Sequence, residues 1–454
     1  MIQIPSFISD NENINKAYRY AIACVTSNVI TMKSGVLQNE KPCLMAGNHY
    51  DTPWTRDAAI NVYNAMALLY PSIAKNTLLS VVYSQNGKAI VGDQYWDKII
   101  WAIGAYKVYQ IDGDKAFLRF AFDVLKNTIT ELEEREFDEN ANLFRGAAVY
   151  GDGISAYPEK YRNPDGSPGI LDWAEKNPEK RVHCGHGIPM KALSTNCVYS
   201  ESYRIMSEMA KVLDENGCVY AKKAKSIKEA INRLFWNEQR GNYDYLQGEC
   251  DAQEGMGLAF SILFDIADAD KAMKIAKNTH TTKQGIACVY PVFPPYEQYG
   301  YGRHCGTVWP HVQGFWAKAM LKCGEKARFE KELFALTENA VRDKQFAELY
   351  HPETGEIYGG IQEWQGEYVE WKSEDYQTWS ATAYLNMLIE GIVGLSVANG
   401  KVSFHPYLPT GMNRATLKNL QVAGKKLEVE IIRRNGAQNQ KDTMTEEKVQ
   451  IYVD

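Results

Sequence analysis

What most constrains the fold of this chain is an alternation. Helical periodicity covers twelve stretches: Ile14–Val29, Asp57–Tyr70, Ser72–Ser84, Lys98–Gln110, Asp114–Glu136, Thr195–Asp214, Tyr220–Trp236, Ala252–Ala267, Asp270–Asn278, Val308–Lys322, Glu325–Asp343 and Thr378–Gly394. The odd-numbered ones are amphipathic. In the seventh, Tyr220, Ala224, Ile227, Ile231 and Leu234 step by four and three, with Lys222, Lys225, Lys228 and Arg233 between them. That is a surface helix with one buried stripe. The even-numbered ones are apolar nearly all round, as in Ile99, Ile100, Trp101, Ile103, Ala105 and Val108, which is the mark of burial on every side.

The connections alternate too. Links from even to odd stretches are short, such as Pro71 and Asp268–Ala269. Links from odd to even stretches are long: Ile30–Arg56, Gln85–Asp97, Phe137–Ser194, Asn237–Asp251, Thr279–Thr307 and Lys344–Gln377. An inner helix, a short turn and an outer helix make a hairpin. Six hairpins closed in a ring make an all-α toroid, the (α/α)6 barrel, with every long loop on one rim. Long loops in a compact domain are usually functional.

The barrel is expected over residues 1–395. After Leu395 the period changes to two. Lys401–Tyr407, Ala415–Val422, Lys426–Ile432 and Lys448–Val453 alternate apolar and polar, with a turn at Ala423-Gly424. Residues 396–454 are read as a small C-terminal antiparallel β appendage, with polar Asn435–Glu447 as a loop.

A chain of 454 residues with 45% hydrophobic and 23% charged residues is globular and long enough for one large helical domain. The net charge of −6 comes without a basic run, which argues against nucleic acid. No stretch reaches the apolar length of a membrane helix. Nine scattered cysteines without a C-x-x-C pair, and a start without a basic and apolar leader, point to a cytoplasmic protein with reduced thiols. His183-Cys-Gly-His186 has no second pair at metal spacing, so no metal is expected.

Two loops carry the chemistry. His49-Tyr-Asp-Thr-Pro-Trp-Thr-Arg-Asp57 sets a guanidinium fork beside a carboxylate, a pair that can grip adjacent sugar hydroxyls, with Tyr50 and Trp54 as flanking flat faces. The plain alternative is that Asp57 caps the second helix and Arg56 pairs with a loop carboxylate. Glu348-Leu-Tyr-His-Pro-Glu-Thr-Gly355 places a second carboxylate ahead of the last apolar helix. Two carboxylates facing each other across an aromatic pocket can cleave a glycosidic bond without a cofactor.

Trp54-Thr-Arg-Asp-Ala-Ala-Ile60 resembles the entry loop of glucoamylase-type six-hairpin glycosidases. Glu348–Gly355, followed by Thr378-Trp-Ser-Ala-Thr-Ala-Tyr384, resembles that family's base-bearing loop and last inner helix. It is also similar to the loop of bacterial relatives of the mannosylglycerate hydrolase type. The likeness runs from about Tyr50 to Leu408 and is specific at its two ends. It implies Arg56 and Asp57 as holders of the sugar next to the scissile bond and Glu348 as general base. By its place in the family the general acid falls in Phe137–Ser194, where Tyr150-Gly-Asp152-Gly-Ile-Ser-Ala-Tyr157 is the candidate. Asp152 between two glycines allows close approach to a ligand, and neighbouring tyrosines would keep it protonated. Gly-Asp-Gly is also ordinary turn chemistry. Glucoamylases carry a paired-Glu motif at this point, which the chain lacks. Asp172 and Glu175 are reserves.

Other rim positions are candidates for sugar contacts. Asp93, Tyr95 and Trp96 precede the fourth helix, with Asp97 as its expected N-cap. Gln362-Glu363-Trp364-Gln-Gly-Glu-Tyr-Val-Glu370-Trp371 alternates acids and aromatics as a lid would, or as a solvated acidic turn would. Glu363 and Glu370 are fallback bases. Cys305-Gly-Thr-Val-Trp-Pro-His311 resembles an inner-helix opening of debranching-type relatives. There Thr307 can cap, Pro310 suits the first turn, and Trp309 and His311 would face the pocket, unless His311 is a buried structural residue. The resulting expectation is an inverting, exo-acting glycosidase on an α-linked glucoside or mannoside. A disaccharide phosphorylase on the same barrel and a sugar epimerase using His304 and His311 are the rivals.

Overall fold

The computed structural model describes residues 5–92, 97–151, 153–398, 401–422, 425–434, 442–444 and 448–453. All twelve predicted helical stretches are present among them. The outer helices are α1 (Glu12–Ser27), α3 (Pro71–Leu79), α5 (Lys115–Glu136), α7 (Cys218–Leu234), α9 (Ala269–Asn278) and α11 (Lys326–Asp343). The inner helices are α2, which runs as Thr55–Asn61, a π turn Val62–Met66 and Ala67–Leu69, then α4 (Asp97–Asp112), α6 (Leu193–Val212), α8 (Gly255–Leu263), α10 (Pro310–Lys322) and α12, which runs as Thr378–Asn386 and a π turn Met387–Ile392.

Each inner helix packs on the next, from α2 through α4, α6, α8 and α10 to α12, and α12 packs back on α2. The ring therefore closes as an (α/α)6 barrel. The residue types enforce this layering. In α4 every residue from Asp97 to Val108 is buried, whereas α7 buries Ala224, Ile227, Ala230 and Ile231 along one stripe. Side-chain caps set several outer starts: Asn11 accepts from the amides of Asn13 and Ile14, Asp114 from those of Ala116 and Phe117, and Asp268 from that of Lys271.

The capping expectations for three inner helices need correction. The N-cap of α2 is Trp54, not Asp57, and it makes no side-chain cap bond. Asp57 sits inside the first turn, where a carboxylate answers the helix dipole instead. Trp309, not Thr307, occupies the N-cap of α10, and Pro310 is at its first turn as expected. Asp97 lies within α4, as the first described residue of that helix.

Small hairpins line the loop-bearing rim. One is formed by β2 (Ile361–Trp364) and β3 (Glu367–Glu370). At the other end, β1 (Ser6–Ser9), β4 (Arg414–Val422), β5 (Lys425–Arg433), β6 (Thr443–Met444) and β7 (Lys448–Val453) make one sheet in the order β1-β4-β5-β7-β6. The sheet is mixed, not purely antiparallel, because β5 and β7 run parallel. A parallel pair needs a crossover connection, and the stretch between Arg433 and Lys448 is long enough to supply one. Part of Asn435–Glu447, expected as loop, forms β6 and pairs with β7. The expected turn at Ala423-Gly424 lies outside the described residues. A register shift between Leu417 and Leu420, with Asn419 at φ 62°, keeps Ala415, Leu417, Leu420 and Val422 on the buried face.

Candidate active site

The N-terminal ends of the inner helices converge on an aromatic cluster. Trp309 at the head of α10 stacks on His304 with centroids 4.0 Å apart and meets His311 edge-on at 4.1 Å. Trp379, at the head of α12, stacks on His311 at 4.3 Å and meets Trp309 edge-on at 4.9 Å. Tyr150 closes the group 5.9 Å from His304, and its hydroxyl donates to the Cys288 carbonyl at 2.8 Å. Burial pushes the Tyr150 phenol well above its ordinary pKa, so it stays protonated.

Arg56 lies against this cluster. Its guanidinium is 5.4 Å from the Trp379 ring and 5.9 Å from the Trp309 ring, donates to the Val149 carbonyl, and stands 3.8 Å from Asp97. The carboxylate near Arg56 is thus at the head of α4. Asp57 is buried beside it. Tyr50 is half-buried, and its hydroxyl accepts from the Gln377 amide at 3.3 Å, which ties the entry loop to the start of α12. Trp54 stays 41% exposed at the mouth.

Glu348 is also buried, 2% exposed. Arg303 donates to its Oε1 at 2.8 Å, and the Glu374 amide donates to Oε2 at 3.2 Å. Arg303 is fixed in turn. Its amide donates to the Ile361 carbonyl at 2.9 Å, and its own carbonyl accepts from Ser155 at 2.7 Å. Gly153 comes up against this point. A Cβ on Gly153 would meet His304 at 2.7 Å and the Arg303 carbonyl at 3.1 Å. Only a glycine lets that backbone come so close. Asp152 itself, like Asp93, Tyr95 and Trp96, lies outside the described residues.

Backbone strain gathers here as well. Trp54 (φ 51°), His304 (φ 57°) and Tyr376 (φ 49°) are bulky residues with positive φ, a backbone state that costs on the order of 1–3 kcal/mol each. Such residues cluster at functional sites.

A family model described as the mannosylglycerate hydrolase MGH1-like glycoside hydrolase domain matches residues 50–380. The chain belongs to this family. A curated mannosylglycerate hydrolase from Rubrobacter radiotolerans is 23% identical over 235 residues, which span 48% of this chain and 48% of that protein. The match therefore reaches about half of the curated relative's length. Among solved structures, a GH63 mannosylglycerate hydrolase from Thermus thermophilus in complex with glucose superposes with a TM-score of 0.62 at 15% identity, over 82% of this chain and all of that one. A sialidase gives 0.69 at 15% identity over 93% of this chain and 38% of its own. At such identities the likeness is one of fold.

In this MGH1-like domain the predicted site residues divide into three groups. Tyr50, Arg56, Asp57, Trp309, His311 and Glu348 surround the heads of α2, α10 and α12. Both Trp309 and His311 are fully buried among rings, so they build the wall of the site and not its open face. The β2–β3 hairpin holds the second group. Glu363 is tied to Arg162, whose Nε and Nη2 lie 3.1 and 3.0 Å from Oε2. Trp364 is 45% exposed, Glu370 is exposed, and Trp371 rests 5.6 Å from Trp364. The reserves Asp172 and Glu175 form the third group, both exposed at a short helical turn, Trp173–Lys176, that buries Trp173 and Ala174. Arg303, Trp379 and Arg162 escaped the sequence reading. The signal for Arg303 was present two residues before the quoted Cys305–His311 segment.

Proposed function

We propose that this chain is an inverting, exo-acting glycoside hydrolase for a small α-linked glucoside or mannoside. Asp152 is the general acid and Glu348 the general base. The observation that carries the reading is the Arg303 bridge. It binds Glu348 on one side and abuts the backbone next to Asp152 on the other. An ion pair with a guanidinium favours the deprotonated form of a carboxylate, as a base requires. Glycines on both sides in the sequence suit an acid that must come close to a leaving oxygen.

In this mechanism a water oxygen attacks the anomeric carbon and Glu348 takes its proton. The bond to the leaving oxygen breaks as Asp152 donates a proton to it. The two carboxyl groups then stand roughly 6.5–9.5 Å apart, which leaves room for the water. Arg56 and Asp57, with Trp54 and Tyr50 at the mouth, hold the terminal sugar. Mannosylglycerate, named for the curated relative and for the solved structure from Thermus, is the first substrate to assay. Aryl α- and β-glycosides complete the panel.

Proton NMR of the newly released anomeric centre tests the proposal, with wild type and Glu348→Gln side by side. The expected result is inverted product from wild type and a nearly silent variant. Retained configuration, or an unimpaired Glu348→Gln enzyme, would overturn it.

A further inference from the structure

The barrel has a second opening. A cavity of about 700 Å³ lies at the opposite end of the inner helices, lined by residues from the later parts of α2, α4, α6, α8, α10 and α12. Its lining contains five basic side chains, Lys107, Arg204, Lys318, Lys322 and Lys326, but only two carboxylates, Glu201 and Glu390. On a chain with a net charge of −6 this is a local reversal of sign.

Two of those cations are answered. Arg204 grips Glu201 at 2.7 and 2.6 Å, and Lys322 meets Asp265 at 2.7 Å. The deepest group is not balanced. Lys107 donates to Oε1 of Glu390 at 2.6 Å, and Lys318 donates to Oε2 of the same carboxylate. Lys318 also reaches the Tyr63 hydroxyl at 3.3 Å. Burial pushes the Glu390 carboxyl up, but the pull of Lys107 and Lys318 outweighs it and holds it down at about 2. Two ammonium groups thus share one carboxylate, and one positive charge is left over in a largely buried setting. An excess buried charge is costly unless a counter-charge joins it. Lys326 stands exposed at the opening, with its ammonium over the Tyr407 ring at 4.8 Å.

A second observation is independent of charge. The two π turns of the inner ring fall here, and they carry Tyr63 and Glu390 to the cavity. Such turns recur at functional sites. Lysines near a helix end can instead serve the helix dipole, an effect confined to the last turn. Lys322 fits that role. Lys107 and Lys318 lie further back in α4 and α10.

We propose that the far-mouth cavity is a second ligand site, for a small phosphate-type oxyanion held by Lys107 and Lys318 and admitted past Lys326. The anion can come as inorganic phosphate or as a phosphate ester of a sugar, which the volume also accommodates. Titration calorimetry of the full chain at constant ionic strength distinguishes them, with inorganic phosphate, glucose 6-phosphate and glucose as separate titrants. Saturable one-to-one binding of either phosphate, and none of glucose, is the expected result. Lys318→Met leaves a neutral Lys107–Glu390 pair and should weaken binding about tenfold or more. Exposed Lys326→Gln, which leaves every buried contact in place, should weaken it severalfold. No saturable heat with either phosphate, or equal affinity in wild type and both variants, would overturn the proposal.

Discussion

At the residue scale the decisive unit is Arg303 with Glu348. A guanidinium beside a buried carboxylate favours its ionised form. Arg303→Lys keeps the charge but loses the planar fork. Arg303→Met loses both. If Glu348 is the base, the acidic limb of the pH–rate profile should move to higher pH in Arg303→Met, because the carboxylate protonates more readily once its guanidinium is gone. Arg303→Lys should fall between that variant and wild type. A purely structural arginine would lower activity at every pH and leave the limb where it was. Gly153 gives a second prediction. Its backbone is extended, and the hydrogen that a Cβ would replace points at His304 and the Arg303 carbonyl. Gly153→Ala should fold normally and lose about 100-fold in kcat/KM, the usual cost of a small displacement near the reacting groups. Wild-type kinetics in that variant would show that the turn is not part of the site. Arg303 was hard to see in the sequence because its importance lies in a partner 45 positions away. Glu348 was visible because its own loop carries a family pattern.

At the element scale the helices were legible because burial imposes a period on twelve separate stretches. The π turns in α2 and α12 were not, since one extra residue per turn barely disturbs an all-apolar pattern. The two-residue strands that stiffen the loops left no periodic trace either. The β2–β3 segment alternates acids and aromatics because it is a hairpin, and Glu363 within it is held by Arg162. Two buried acids join elements and predict a pH effect. Burial raises Glu254, at the head of α8, to about 8 and Glu332, in α11, to about 8. Glu332 accepts from the Ile286 amide at 3.2 Å, and Glu254 accepts from the Ser194 amide at 2.9 Å. Both folded values lie above the unfolded one. The folded state therefore binds more protons between about pH 4.5 and 8, and stability falls as pH rises through that window. Their contribution is complete below it. Glu332→Gln and Glu254→Gln, which stay neutral, should each flatten the decline of the unfolding free energy across that range, by up to about a few kcal/mol, as read by denaturant titration at each pH. Unchanged slopes in both would mean that the native carboxyls are already ionised at low pH.

At the scale of the whole molecule the ring has one seam unlike the others. Five inner-helix contacts join neighbours linked through a single outer helix. The sixth, α12 on α2, joins the two ends of the barrel. Its polar contacts span more than 300 residues of chain. Thr382 donates to Asn61 at 2.8 Å and Asn386 donates to the Asn64 carbonyl at 2.8 Å, while Asn28 at the end of α1 donates to Thr378 at 2.9 Å. Opening this seam breaks no sequence-local packing, so it is the place where the toroid should loosen first. Thr382→Val keeps the shape and strands the Asn61 oxygen in the interior, at a cost of about 1–3 kcal/mol. Asn386→Leu removes the bond one helical turn further along. If the seam opens as a unit, the two substitutions act on a shared interface, and the double variant should cost less than their sum. Hydrogen exchange read by mass spectrometry then separates seam opening from global unfolding. Each variant should speed exchange in Thr55–Asn61 and Thr378–Asn386, about tenfold per 1.4 kcal/mol lost, while Asp97–Asp112 and Leu193–Val212 hold their protection. Uniform acceleration in all four segments would mean that the barrel has no preferred opening and that closure is as firm as every other contact in the ring.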